Sequence, residues 1–200
     1  MNKILFLTSL VTLFVFSECK KGPDDPFLSL RTRKARVAGD WKLTKGSNSS
    51  SNSGKSNSSS SETTYDGSMY TTNSSNTYGS ATTQTTQIGT YTLKMSFKKD
   101  GTFKYEETQD GQVFNFSGTW NFTGGIGGKK NKEQIVLHGT ESSSSGYNSV
   151  LTGNQVDITF DIKELRNKKM VFTLENNNTE TTSNGNYTVD TYRSEYTFEQ

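Results

Sequence analysis

"TYTLKMSFKKDGTFKYEE", residues 90–107, alternates apolar and polar side chains on both sides of one turn signal. Tyr91, Leu93, Met95 and Phe97 fall on one face, and Thr92, Lys94 and Ser96 on the other. Successive side chains of a strand point to opposite sides of a sheet, so this period of two predicts a half-buried strand. Asp100-Gly101 supplies a hairpin turn, and Phe103 and Tyr105 continue the pattern on the return strand.

The same pattern extends outward. Asp110-Gly111 turns the chain again, and "VFNFSGTWNF" then sets Phe114, Phe116, Gly118, Trp120 and Phe122 on one face. "EQIVLHG" carries Ile135 and Leu137. "VDITFDI" alternates Val156, Ile158, Phe160 and Ile162, and "KMVFTLE" carries Met170, Phe172 and Leu174. The last run sets Tyr192, Tyr196 and Phe198 against Val189 and Arg193. Upstream, "GDWKLTK" at 39–45 reads as a first strand, and residues 63–88 permit two weak strands. The polar stretches are read as loops: 46–62, rich in Ser and Asn and predicted to be disordered, Glu141 to about Gly153, and "NNNTETTSNGN" at 176–186. The sum is about eight to ten antiparallel strands, each with one apolar face. Closing such a sheet into an up-and-down barrel covers the apolar face and removes the edges. The polar outer face argues against a barrel that spans a membrane.

Before the strands, Asp25 to Ala38 forms the one predicted helix, with Asp25 as cap, Pro26 in the first turn, and Phe27, Leu30 and Val37 near one side. Arg31, Arg33, Lys34 and Arg36 crowd it; they read as a solvated face or as a contact for anionic lipid.

The N-terminus holds the only cysteine, Cys19. Lys3 precedes an apolar run from Ile4 to Phe16, about 13 residues where a membrane-spanning helix needs about 20. Lysine, apolar run and cysteine together resemble a bacterial lipoprotein signal peptide. That resemblance implies removal of residues 1–18, acylation of Cys19, and a solvated tether over 19–25. Glu18 stands where that class places a small residue, which leaves an ordinary secretory cut after Ser17 as the alternative.

Gly39-Asp40-Trp41 at the first strand, "SFKKDGTFKYEE", "FSGTWNF" and "FDIKELRNKKMVFTLEN" are similar to the lipocalin-like lipoproteins of Bacteroidetes-type bacteria. The resemblance implies a lipocalin-like barrel over 26–200, anchored by lipid in the cell envelope, at the outer membrane, facing periplasm or cell surface. It also implies a barrel-base motif of Gly39, Trp41 and an arginine from the last strand, for which Arg193 is the candidate. It implies a small apolar or amphipathic ligand held inside.

An eight-stranded barrel either fills its interior or holds one small ligand. The pocket candidates are Tyr91, Met95, Phe97, Phe103, Tyr105, Phe114, Phe116, Phe160 and Phe172, with Phe122 beside them. Their bulk favours a packed interior and a surface module; the Thr- and Ser-rich strands of 63–88 favour a cavity.

No catalytic residue, metal set or cofactor site is read. The lone histidine, His138, is taken as a strand residue, and the carboxylate pairs Glu106-Glu107 and Asp157/Asp161 as facing water. Gly124, Gly125, Gly127 and Gly128 precede no helix, against a phosphate loop. A formal net charge of +2 gives no reason to expect nucleic acid.

Overall fold

The structure is a computed structural model that describes residues 31–55, 57–124, 133–144, 155–181 and 187–200; for 141–144, 155–156, 180–181 and 187 it describes backbone only. Cys19, the signal peptide, the tether and the first part of the predicted helix lie outside the described residues.

One short helix, α1 (Arg33–Val37), leads into ten antiparallel strands. They are β1 (Gly39–Ser53), β2 (Asn57–Tyr65), β3 (Met69–Tyr78), β4 (Ala81–Phe97), β5 (Thr102–Gln109), β6 (Gln112–Thr123), β7 (Gln134–Ser144), β8 (Gln155–Leu165), β9 (Lys169–Thr181) and β10 (Tyr187–Glu199). Each pairs with its neighbours in sequence, and β1 pairs with β10 to close an up-and-down barrel.

The barrel has two tiers. At the α1 end, Gly39–Lys42 of β1 pairs directly with Phe97–Lys94 of β4, so eight strands close the ring there. Beyond that level the β2–β3 hairpin enters between β1 and β4. Its turn is held by Asp66, whose side chain accepts from the Ser68 and Met69 amides and the Ser68 hydroxyl. Those bonds to the ionised form hold the Asp66 carboxyl below its usual range.

The turn chemistry follows the sequence. Asp110 and Gly111 both have positive φ, the two-residue hairpin that Asp-Gly favours. At the β4–β5 turn only Gly101 is left-handed, and Asp100 ties the turn by accepting from the amide and hydroxyl of Thr102.

The core follows the alternation. Leu93, Met95, Phe97, Phe103, Phe116, Trp120, Ile135, Leu137, Phe160, Ile162, Phe172 and Phe198 are buried inside the barrel. A register shift in β1 between Leu43 and Lys45 moves the inward set from Trp41 and Leu43 to Gly46 and Asn48. Gly46 then lies between Tyr65 and Tyr196, whose rings fill the space a side chain would take.

The stretch 46–62 is not a disordered loop where it is described. Residues 46–53 continue β1 and 57–62 belong to β2, paired from Gly46–Tyr65 to Ser53–Ser58. Likewise β7 runs on to Ser144 and β9 to Thr181, inside stretches read as loops. The runs 47–53 and 57–62 lack an apolar stripe because neither face is buried there. Their backbone bonds and neighbouring strands hold them instead, so side-chain periodicity carries no signal. Together the outer parts of β9, β10, β1, β2, β3 and β4 form a polar sheet projecting past the barrel.

The predicted helix is also shorter where it is described. Thr32 is the cap, accepting from the Ala35 amide at 3.2 Å, and Arg31 precedes the helix. Neither a solvated face nor a lipid contact describes Arg33 and Arg36, which are buried under the barrel. Arg36 donates to the Leu165 carbonyl, and Arg33 lies over the Phe122 ring at 5.9 Å.

Candidate functional site

The ten inward candidates do not form one pocket. At the α1 end they pack solid. Phe97 meets Trp120 edge-on at 5.6 Å, Phe103 meets Phe116 at 5.0 Å, and Phe160 stacks on Phe172 at 5.2 Å. Met95 is buried beside them. Trp41 closes this end, 2% exposed, with its indole Nε1 donating to the Val37 carbonyl at 2.7 Å. Gly39 opens β1 opposite Phe97.

Arg193 does not pack over Trp41. The β1–β10 register sets Arg193 opposite Ser49, well along the sheet from Trp41. Its side chain is 71% exposed and donates to Glu175 at 2.8 Å on the outer face. The cations that do cover this end come from α1: Arg33, Arg36, and Lys34 over the Trp120 ring at 5.9 Å. Glu164, buried by the β8 register shift between Ile162 and Glu164, pairs there with Arg166 and with Lys169 at 2.7 Å.

At the other end the inward face turns from hydrocarbon to phenol. Tyr65, Tyr70, Tyr91, Tyr105, Tyr192 and Tyr196 all hold inward positions. Tyr65 contacts Tyr91 with centroids 4.4 Å apart and Tyr196 at 6.0 Å. Tyr105 meets Phe114 edge-on at 5.9 Å. Burial pushes the Tyr65 phenol up to about 12, with the Glu107 charge next in weight. Burial also raises Tyr91, Tyr105 and Tyr196, the first two reinforced by Glu107 and Tyr196 by Tyr192.

Glu107 does not face water. It pairs with Leu93 on one side and Phe114 on the other, and shares the inward face of β5 with Tyr105. The Tyr105 hydroxyl donates to its Oε2 at 2.6 Å, and its charge reaches the Tyr91 phenol close by. Glu106, the outward neighbour, does face water and binds Lys94 at 3.2 Å. Counting residues from Phe103 reaches this answer: positions 103, 105 and 107 lie on one face. Glu107, Gln109, Gln112 and Phe114 line a cavity of about 150 Å³ within this rim.

Nearby, the Tyr70 hydroxyl donates to Asp110 at 2.8 Å and accepts from Gln87. Ser194, fully buried, leaves its hydroxyl without a partner. His138 is on the outer face, its Nδ1 2.8 Å from Asp157. Asp161 accepts from Gln134. Of the glycine run, residues 125–132 lie outside the described residues.

Set against family models, curated proteins and solved structures, the chain matches none.

Proposed function

We propose that this chain is a lipid-anchored envelope protein whose barrel binds a small amphipathic molecule at the end away from α1. The observation that supports it is the inward tier of tyrosines around Glu107. A polar side chain turned into a barrel costs stability unless it has a partner, and the packed aromatic floor below already supplies the core. A tier of phenol rings and one carboxylate above an apolar floor suits a ligand with an apolar body and a polar head. The anchor rests on the signal-peptide pattern ending at Cys19.

Native mass spectrometry of the chain after exposure to a lipid and metabolite extract tests the binding. A discrete added mass, lost when Phe114 is replaced by Asp, is the expected result; an unliganded mass at every dose counts against it. For the anchor, Cys19→Ala is expected to move the protein from the membrane to the aqueous fraction. Unchanged partitioning removes the lipid from the proposal.

A second reading is a packed barrel acting as a surface module. The solid floor and the polar sheet of β9, β10 and β1 to β4 favour it, since a sheet exposed on both faces offers a broad hydrogen-bonding surface.

A further inference from the structure

We infer that the head group bound in the rim is an organic cation, an ammonium or guanidinium group, received by Glu107. This rests on the binding reading above and names the ligand class of the same site.

Charge is the first ground. Glu107 forms no ion pair among the described residues; its hydrogen bond comes from the neutral hydroxyl of Tyr105. The described inward side chains of this tier include no lysine, arginine or histidine. The acids Asp110 and Asp190 stand at the same end, the first bonded to Tyr70 and the second to Asn52. Four other glutamates meet cations directly: Glu106 with Lys94, Glu195 with Lys163, Glu175 with Arg193, and buried Glu164 with two. Glu107 is thus a half-buried carboxylate that meets no cation among the described residues, in a setting where such a charge favours a cation beside it.

Geometry is the second ground. The cavity of about 150 Å³ is bounded by Glu107, Phe114 and the amides of Gln109 and Gln112. Both amides bring carbonyl oxygens that accept from N–H donors. The Phe114 ring lines the same space with Tyr105 nearly perpendicular to it, and aromatic walls favour a cation. One carboxylate, two amides able to turn an oxygen inward and an aromatic ring around a small space suit an N–H-bearing cation, and the Glu107 charge repels a carboxylate. The volume suits a head group, so the apolar body of the ligand would lie along the tyrosines.

The test uses the full chain and three probes of matched shape: benzylamine, benzyl alcohol and benzoate, followed by titration calorimetry. Benzylamine, cationic at neutral pH, is expected to bind at least roughly tenfold more tightly than benzyl alcohol, the difference a charge-assisted bond gives. Benzoate is expected not to bind. Glu107→Gln keeps the shape and removes the charge; it is expected to abolish the preference for amine over alcohol. A thermal melt checks that this variant is folded. If it is not, Tyr105→Phe is the second variant, expected to weaken amine binding more than alcohol binding. Equal affinity for amine and alcohol in the native chain overturns the cation assignment and leaves the binding reading standing. A preference for the amine that survives Glu107→Gln overturns the role of Glu107. Failure of all three probes overturns the cation assignment; the extract experiment then decides the binding reading by itself.

Discussion

Tyr105 and Glu107 sit two residues apart on β5, face the barrel interior together, and are joined by a 2.6 Å hydrogen bond from phenol to carboxylate. The strand's period of two makes this contact; no long-range coincidence is needed. Tyr105→Phe removes one donor from a carboxylate with no ion pair among the described residues. A hydrogen bond to a charged group is worth roughly 1.5–3 kcal/mol. The expected result is a loss of that order in urea unfolding, largely recovered when Glu107→Gln is added. Additive losses in the double variant would show the two residues to be uncoupled.

The buried phenols set an alkaline limit on stability. In the unfolded chain a tyrosine ionises near about 10. In the folded chain Tyr65 is pushed up to about 12, and Tyr91, Tyr105 and Tyr196 higher, by burial. Above the unfolded value the unfolded chain therefore holds fewer protons, and stability falls as pH rises. The contribution is whole below about pH 10 and is lost through about pH 12 and beyond. Phenolate absorbance from Tyr65, Tyr91, Tyr105 and Tyr196 should appear only together with unfolding. One rise near the ordinary value, with the fold intact, would contradict the burial.

Gly118 and Gly139 stand opposite each other on β6 and β7. A Cβ on Gly118 would run into the His138 carbonyl oxygen and the Gly139 Cα, which are backbone and cannot swing aside. Gly118→Ala is expected to cost about 1–3 kcal/mol, the usual range for overpacking. A denaturant midpoint equal to that of the native chain would mean that the two strands part freely.

Trp41 and Arg193 should behave oppositely. Trp41→Ala empties the floor and removes the bond to the Val37 carbonyl, at an expected cost of about 3–5 kcal/mol. Arg193→Ala removes an exposed ion pair and is expected to leave the unfolding midpoint in place. Comparable losses in the two variants would restore Arg193 to a structural role at the base.

The alternation that runs through Tyr91, Phe97, Phe103, Phe116, Phe160 and Phe172 marked the inward face of the barrel, because burial on one side leaves a period of two in the chain. Asp-Gly marked two turns because left-handed backbone is cheap there. The same counting places Glu107 inward, yet the Glu-Glu pair invites a reading as surface charge; only the paired strands on either side of β5 make its position plain.

By itself, the sequence determined the all-β class, the set of apolar side chains that face one another, and the Asp-Gly turns, since each is a local consequence of side-chain alternation or backbone preference. The tertiary structure decided the rest. It made strands of the Ser-, Thr- and Asn-rich runs at 47–53 and 57–62, which hold through neighbouring backbones and bury neither face. It set Arg36 beneath the barrel against Leu165, a partner 129 residues away. It carried Arg193 outward to Glu175, because strand register, and not residue type, selects which side chains meet.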